Sequence, residues 1–185
     1  AIAHDLRTPL GRLRLALESA ITQTPQEPIT AATLEPMLKE LDDILHTFSS
    51  MLELSRLEHK QARSSFQEVD LQQIADDAIE LLQPIAQDRQ QSILLDASGV
   101  TTIEGDRSLV FRALFNTLEN ASKYGGEGAT LKLSLHATGF TVADNGPGIA
   151  TEFHDKVFQR LYRLESSRTT PGYGLGLPLV KAIAE

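Results

Sequence analysis

Apolar positions along the chain follow two regimes. Over residues 2–22, Leu6, Leu10, Leu13, Leu17 and Ile21 recur at intervals of four, three, four and four, which places them on one face of a helix. Residues 23–28 (QTPQEP) carry two prolines and cannot continue it. The pattern then predicts a second helix over 33–59. Leu34, Leu38, Leu41, Leu45, Phe48 and Leu52 alternate at three and four, and Met37, Ile44 and Met51 join them at every seventh position. That stripe is wider than a two-stranded seam needs. A helical hairpin alone is marginal, and pairing two hairpins into a four-helix bundle would bury both stripes. A homodimer through residues 1–60 is therefore expected.

Beyond residue 60 the periodicity changes. Residues 61–67 (QARSSFQ) are polar and small, as in a linker. A helix is predicted over 71–89, strands over 92–95 and 101–104, and a helix from an N-capping Asp106 to residue 124. Two β-rich runs follow, 130–136 and 140–144, joined by a turn at Thr138-Gly139. The last third is rich in Gly, Ser and Arg and ends in a helix starting at Leu177. Helices and strands without regular alternation indicate an α+β chain. Two domains are expected: an antiparallel hairpin over 1–62 and a mixed α/β sandwich over 68–185.

Composition narrows the classes of function. With 17 basic and 25 acidic side chains the net charge is −8, which disfavours a nucleic-acid binder that works by displacing phosphate counterions. The chain has no cysteine, which excludes a disulfide framework, a cysteine-ligated zinc and a thiol nucleophile. No run approaches the length of a membrane span, and Arg7, Arg12 and Arg14 interrupt what could pass for a signal peptide. Both ends fall inside helical patterns, so a piece of a longer protein is expected.

Four clusters have the residue types for chemistry. His4, Asp5 and Thr8 lie within one turn, in HDLRTPL. A carboxylate beside an imidazole can hold one ring nitrogen protonated while the other attacks. A solvent-facing histidine is the plain alternative, although Pro9 deletes a helical bond for no packing gain. In the helix before residue 125, Val110, Leu114, Leu118 and Ala121 form an apolar face, and Asn116, Asn120 and Lys123 share another stripe. An amide oxygen there can ligate Mg²⁺ and the lysine can meet phosphate; an exposed polar face would look the same.

The third cluster, Asp144-Asn145-Gly146-Pro147-Gly148, ends a strand. Its carboxylate can accept from an exocyclic amine and its glycines let backbone approach a flat ring, although a tight turn would also explain it. The fourth, PGYGLGLP over 171–178, alternates glycines into a helix start, where free backbone amides favour phosphate. Between these two clusters, residues 152–170 hold Phe153, Phe158, Arg160, Tyr162, Arg163 and Arg168, and 166–170 read as an unstructured lid.

Taken in order, these clusters resemble the H, N, G1, F and G2 boxes of bacterial sensor histidine kinases, over nearly the whole chain. HDLRTPL, DNGPGI and GYGLGLPLV are close to that family's usual wording. The resemblance implies a dimerisation and phosphotransfer hairpin followed by an ATP-binding domain of the Bergerat type. It makes His4 the phospho-acceptor and Asp5 its general base, and Thr8 the residue that orients water during dephosphorylation of a partner. Asn120 would ligate Mg²⁺, with Asn116, Lys123 and Tyr124 lining ATP. Asp144 would bind the adenine amino group beside Gly146 and Gly148. Arg163 would reach the γ-phosphate, and Gly172, Gly174, Gly176 and Leu177 would bracket the phosphates.

The resemblance further implies a response-regulator receiver domain as partner, hinge motion about 61–67, and a parent protein in the bacterial inner membrane with this part on the cytoplasmic side. No nucleic-acid partner and no direct membrane contact are expected. Related Bergerat-fold ATPases carry a water-activating glutamate four residues before the metal-binding asparagine. Asn116 stands there in this chain and cannot act as a base, so slow hydrolysis is expected. The family's last strands do not follow the final helix, and the hairpin at Thr138-Gly139 is short for it. A net phosphatase and a nucleotide-binding scaffold without autophosphorylation are the alternative readings.

Overall fold

The computed structural model describes residues 10–11, 13–15, 17–18, 31–58, 66–97, 99, 102–164 and 172–185. The chain divides into two units, Ala1–Ser55 and Arg56–Glu185. The turn expected at 23–28, the linker residues 61–65 and the residues His4, Asp5 and Thr8 lie outside the described residues.

In the first unit, the described residues between Leu10 and Glu18 are helical, and Arg14 Nε pairs with Glu18 Oε1 one turn on at 2.7 Å. Helix α1, Ala31–Glu58, follows. The broad apolar stripe anticipated for it divides in two. Ile44, Thr47, Met51 and Leu54, spaced three, four and three, are buried together with Ser50. Leu34, Leu38, Leu41, Leu45, Phe48 and Leu52 are exposed.

The second unit opens with strand β1, Gln67–Asp70, which pairs antiparallel with β3, Thr102–Gly105. Sequence periodicity gave no sign of β1, because Val69 is its one buried residue. Gln67, assigned to the linker by its polarity, already pairs with Gly105. Helix α2, Leu71–Asp88, starts where the Asp70 carboxylate accepts from Gln72 N at 2.9 Å. Leu71, Ile74, Ala75, Ala78, Leu82 and Ala86 form its buried face.

Helix α3, Arg107–Gly125, is capped as anticipated: Asp106 Oδ1 accepts from Ser108 N at 2.8 Å and Leu109 N at 3.1 Å. Val110, Ala113, Leu114, Leu118 and Ala121 point to the core. The second sheet has three strands in the order β2-β4-β5, with β2 at Ser92–Asp96, β4 at Thr130–His136 and β5 at Gly139–Asp144. β2 runs parallel to β4, and β4 antiparallel to β5. A parallel pair needs a long crossover, and the segment containing β3 and α3 supplies it.

α2 and α3 pack on each other and on this sheet. The alternation of β4 turns Leu131, Leu133 and Leu135 inward against Leu71, Ile74, Leu82, Leu114 and Leu118. Each such side chain, taken fully out of water, contributes about 1.5–3 kcal/mol before the entropy cost of ordering it. Two short 3-10 turns, Thr151–Phe153 and Lys156–Phe158, precede helix α4, Gly176–Ala184. α4 packs against α3. None of the helices among the described residues is long and apolar enough to cross a membrane.

Candidate functional site

Asn116, Asn120, Lys123 and Tyr124 lie on the second half of α3, off the face that Leu114, Leu118 and Ala121 turn to the core. The first three are half-buried and Tyr124 is exposed. Asn116 Nδ2 donates back along the helix to Arg112 O at 2.9 Å, which orients its oxygen toward the start of α4. A Cβ added to Gly176 would stand 3.3 Å from Asn116 Oδ1 and 3.6 Å from Asn120 Nδ2. Glycine at this position thus lets the first turn of α4 come down onto both amides. Asn120 makes no side-chain hydrogen bond among the described residues.

α4 begins without a side-chain cap, Leu175 standing at the N-cap position. The amides of Gly176 and Leu177 therefore have no partner within the helix, and Pro178, third in the helix and buried, has none to offer. Among the described residues no three His, Cys, Asp or Glu side chains gather to hold a metal ion.

Asp144 ends β5 beside the last turn of α3. Its Oδ1 accepts from Gly146 N at 2.9 Å, and Gly125 packs close to its Cβ. Gly146 has no room for a side chain: a Cβ would meet Gly125 Cα and Asp144 Oδ1, each at 2.7 Å. Asn145 Oδ1 accepts from Thr130 N at 2.8 Å and ties the turn to the start of β4. Gly148, with φ of 71°, follows in the left-handed conformation that favours glycine.

A third group fastens the two ends of the segment between β5 and α4. Leu161 N donates to Gly174 O at 2.9 Å, and Arg163 Nη1 donates to Gly172 O at 2.6 Å. Gly174 has φ of 67°, and a Cβ on it would come within 2.5 Å of Tyr162 O. Leu161 takes φ of 61°, unusual for a branched side chain, to make this contact. Residues 166–170, read from sequence as a mobile lid, lie outside the described residues.

The structure therefore brings Asn116, Asn120 and Gly176 together, and separately seats Asp144, Gly146 and Gly125 at the end of the same helix. Arg163 is engaged with the backbone of Gly172. Sequence reasoning missed Glu119, whose Oε1 stands 2.9 Å from Lys123 Nζ. Their i,i+4 spacing was the signal available.

Two family models match the chain. Residues 1–60 match the family described as His Kinase A (phospho-acceptor) domain. Residues 105–185 match the family described as histidine kinase-, DNA gyrase B- and HSP90-like ATPase. The chain belongs to the sensor histidine kinases. The sensor-like histidine kinase SenX3 of Mycolicibacterium smegmatis is 30% identical over 189 residues, covering 99% of this chain and 49% of that protein. Sensor protein QseC of Salmonella typhi is 31% identical over 183 residues, covering 98% of this chain and 40% of that protein. The chain thus spans about half or less of these relatives' length.

Among solved structures, histidine kinase AdeS of Acinetobacter baumannii aligns with a TM-score of 0.79 at 27% identity, covering 99% of this chain and 86% of that one. Full-length ShkA in complex with AMPPNP aligns with a TM-score of 0.68 at 25% identity, over 97% of this chain and 38% of that one. The α+β architecture of this histidine kinase chain is accordingly that of the family.

Proposed function

We propose that this chain is the catalytic core of a protein-histidine kinase that uses ATP and Mg²⁺ to phosphorylate His4, then passes the phosphoryl group to an aspartate of a response-regulator receiver domain. The observation that carries the reading is the approach of Gly176, at the uncapped start of α4, to the amides of Asn116 and Asn120. Unpaired backbone amides at a helix start suit phosphate oxygens, and an amide oxygen beside them suits a hard cation.

The chain's residues divide the work as follows. Asp144 accepts from the adenine amino group, with Gly146 and Gly148 letting backbone lie close to the ring. Asn116, Lys123 and Tyr124 line the nucleotide, and phosphate competes with Glu119 for the ammonium of Lys123. The amides around Gly172, Gly174, Gly176 and Leu177 hold the phosphate chain. Mg²⁺ held by Asn120 and by phosphate oxygens would offset charge on the triphosphate, as such sites do without a dedicated protein cage.

In transfer, a lone pair on the His4 imidazole forms a bond to the γ-phosphorus while the bond to the bridging β,γ-oxygen breaks. ADP leaves with that electron pair, Asp5 takes the imidazole proton, and Arg163 moves from Gly172 O to the γ-phosphate. Thr8 would later orient water for dephosphorylation of the regulator. The reading supposes a hairpin over 1–62, a hinge over 61–67 and a nucleotide domain over 68–185. It also supposes a homodimer through residues 1–60, for which the exposed stripe from Leu34 to Leu52 offers an apolar face.

Incubation with γ-labelled ATP and Mg²⁺ tests this. Acid-labile, alkali-stable label is expected on His4, and His4→Ala should abolish it while leaving ADP affinity intact. Label that persists in His4→Ala would refute the assignment.

A further inference from the structure

The connection from α2 to β2 reaches the far end of α3 through two polar side chains. Gln91 is buried, and its amide is fully used there. Nε2 donates to Ser122 O at 2.9 Å and to Gly126 O at 2.7 Å, while Oε1 accepts from Ser122 Oγ at 2.7 Å. Arg89 Nη1 donates to the same Ser122 carbonyl at 2.8 Å. Backbone bonds fasten the turn that follows: Gly128 N donates to Arg89 O and Ser92 N to Ala129 O, both at 3.0 Å.

Ser122 holds the first of the four α3 carbonyls that the helix's own ladder leaves unpaired. The guanidinium of Arg89 also sits where the negative end of the helix favours a cation. A buried polar side chain is a costly way to fill space, and this one also supplies donors to the carbonyls of Ser122 and Gly126. What the polar pair adds is direction. It fixes how far α3 runs and how its last turn is rotated.

The last two turns carry Asn120, Lys123 and Tyr124, and the final residue, Gly125, is the surface on which Gly146 and Asp144 are seated. We propose that Gln91, acting through Ser122, is a positioning residue for nucleotide: it sets the last two turns of α3 so that Asn120 and Asp144 hold the two ends of one ligand. The proposal rests on the reading of those residues as the nucleotide site.

The test uses the 185-residue chain, with ADP affinity, thermal midpoint and autophosphorylation rate as readouts. Gln91→Leu takes one of two donors from Ser122 O, the side-chain donor from Gly126 O and the acceptor from the Ser122 hydroxyl, and is expected to weaken ADP about tenfold or more. The rate at saturating ATP should stay within about twofold, so that the effect falls on KM rather than kcat. Gln91→Leu combined with Ser122→Ala also removes the stranded hydroxyl, while Gly126 O stays without its side-chain donor. Its thermal midpoint should recover part of what Gln91→Leu loses, while the weak ADP binding persists in full.

A merely structural role would restore both quantities together, and parental ADP affinity in the double variant overturns the proposal. Should Gln91→Leu alone fail to fold, the double variant still decides. Ser122→Ala by itself keeps both amide-to-carbonyl bonds and should give an intermediate loss; parental affinity there and in the double variant has the same adverse meaning. Asn120→Ala separates the two claims. If it binds ADP normally the site reading fails, and if it loses ADP while the Gln91 variants keep it, the role of Gln91 alone fails.

Discussion

Two glycines in the site, Gly176 and Gly146, are small for different reasons. A Cβ on Gly176 would lie 3.3 Å from Asn116 Oδ1, a contact that a side-chain amide can relieve by a small shift. The residue is the first of a helix, where only part of alanine's interior advantage of about 0.5–1 kcal/mol is felt. Gly176→Ala should therefore leave the thermal midpoint unchanged or slightly raised. If the α4 amides hold phosphate as proposed, it should also weaken ADP by about tenfold, because the added methyl displaces them. Gly146→Ala behaves otherwise. Its Cβ would strike the backbone Cα of Gly125 at 2.7 Å, which no rotamer relieves. Overpacking of that kind costs roughly 1–3 kcal/mol, so both stability and ADP affinity should fall. Thermal melts and ADP titrations of the two variants distinguish a glycine kept for the ligand from one kept for the fold.

At the scale of elements, α3 is defined at both ends, but by different means. Its start depends on Asp106, which accepts from two backbone amides. Asp106→Ala should cost about 1 kcal/mol and lower the midpoint by about 4 °C. ADP affinity should hold within about twofold, since the cap lies several turns from Asn120. A matching loss of affinity in a folded variant would contradict that separation. The start of α3 was legible in the sequence because an Asp before an apolar 3/4 repeat is a local signal. The same holds for the buried face of α2 and the strict alternation of β4. The end of α3, expected at residue 124, falls at Gly125, but its tether was not legible, because Gln91 lies 31 residues from Ser122 in sequence and nothing local joins them. β1 offered one buried side chain and so no period, and the parallel pairing of β2 with β4 depends on tertiary order. The four boxes of the site were readable as motifs, and Asn116 with Asn120 as a stripe. The approach of Gly176 to their amides and the pairing of Lys123 with Glu119 required coordinates.

At the scale of the whole molecule, α1 leaves a stripe of apolar surface exposed. Leu34, Leu38, Leu41, Leu45, Phe48 and Leu52 lie 40–58% exposed along one helix, while Ile44, Thr47, Met51 and Leu54 are buried. A contiguous exposed stripe of this kind is unusual on a monomer and marks an interaction face. A net charge of −8 opposes self-association at long range, so the stripe must supply the attraction at contact. If a second copy covers it, light scattering at micromolar concentration should give twice the chain mass. Leu45→Glu, at the middle of the stripe, would place a carboxylate in a desolvated seam, and a charge buried without a partner costs several kcal/mol. That variant should sediment as a monomer at the same concentration. Because the residues proposed to hold nucleotide belong to the other unit, it should bind ADP as the parent does. A parent chain that is itself monomeric, or a Leu45→Glu chain that remains dimeric, would remove this stripe as the interface and leave the nucleotide site untouched.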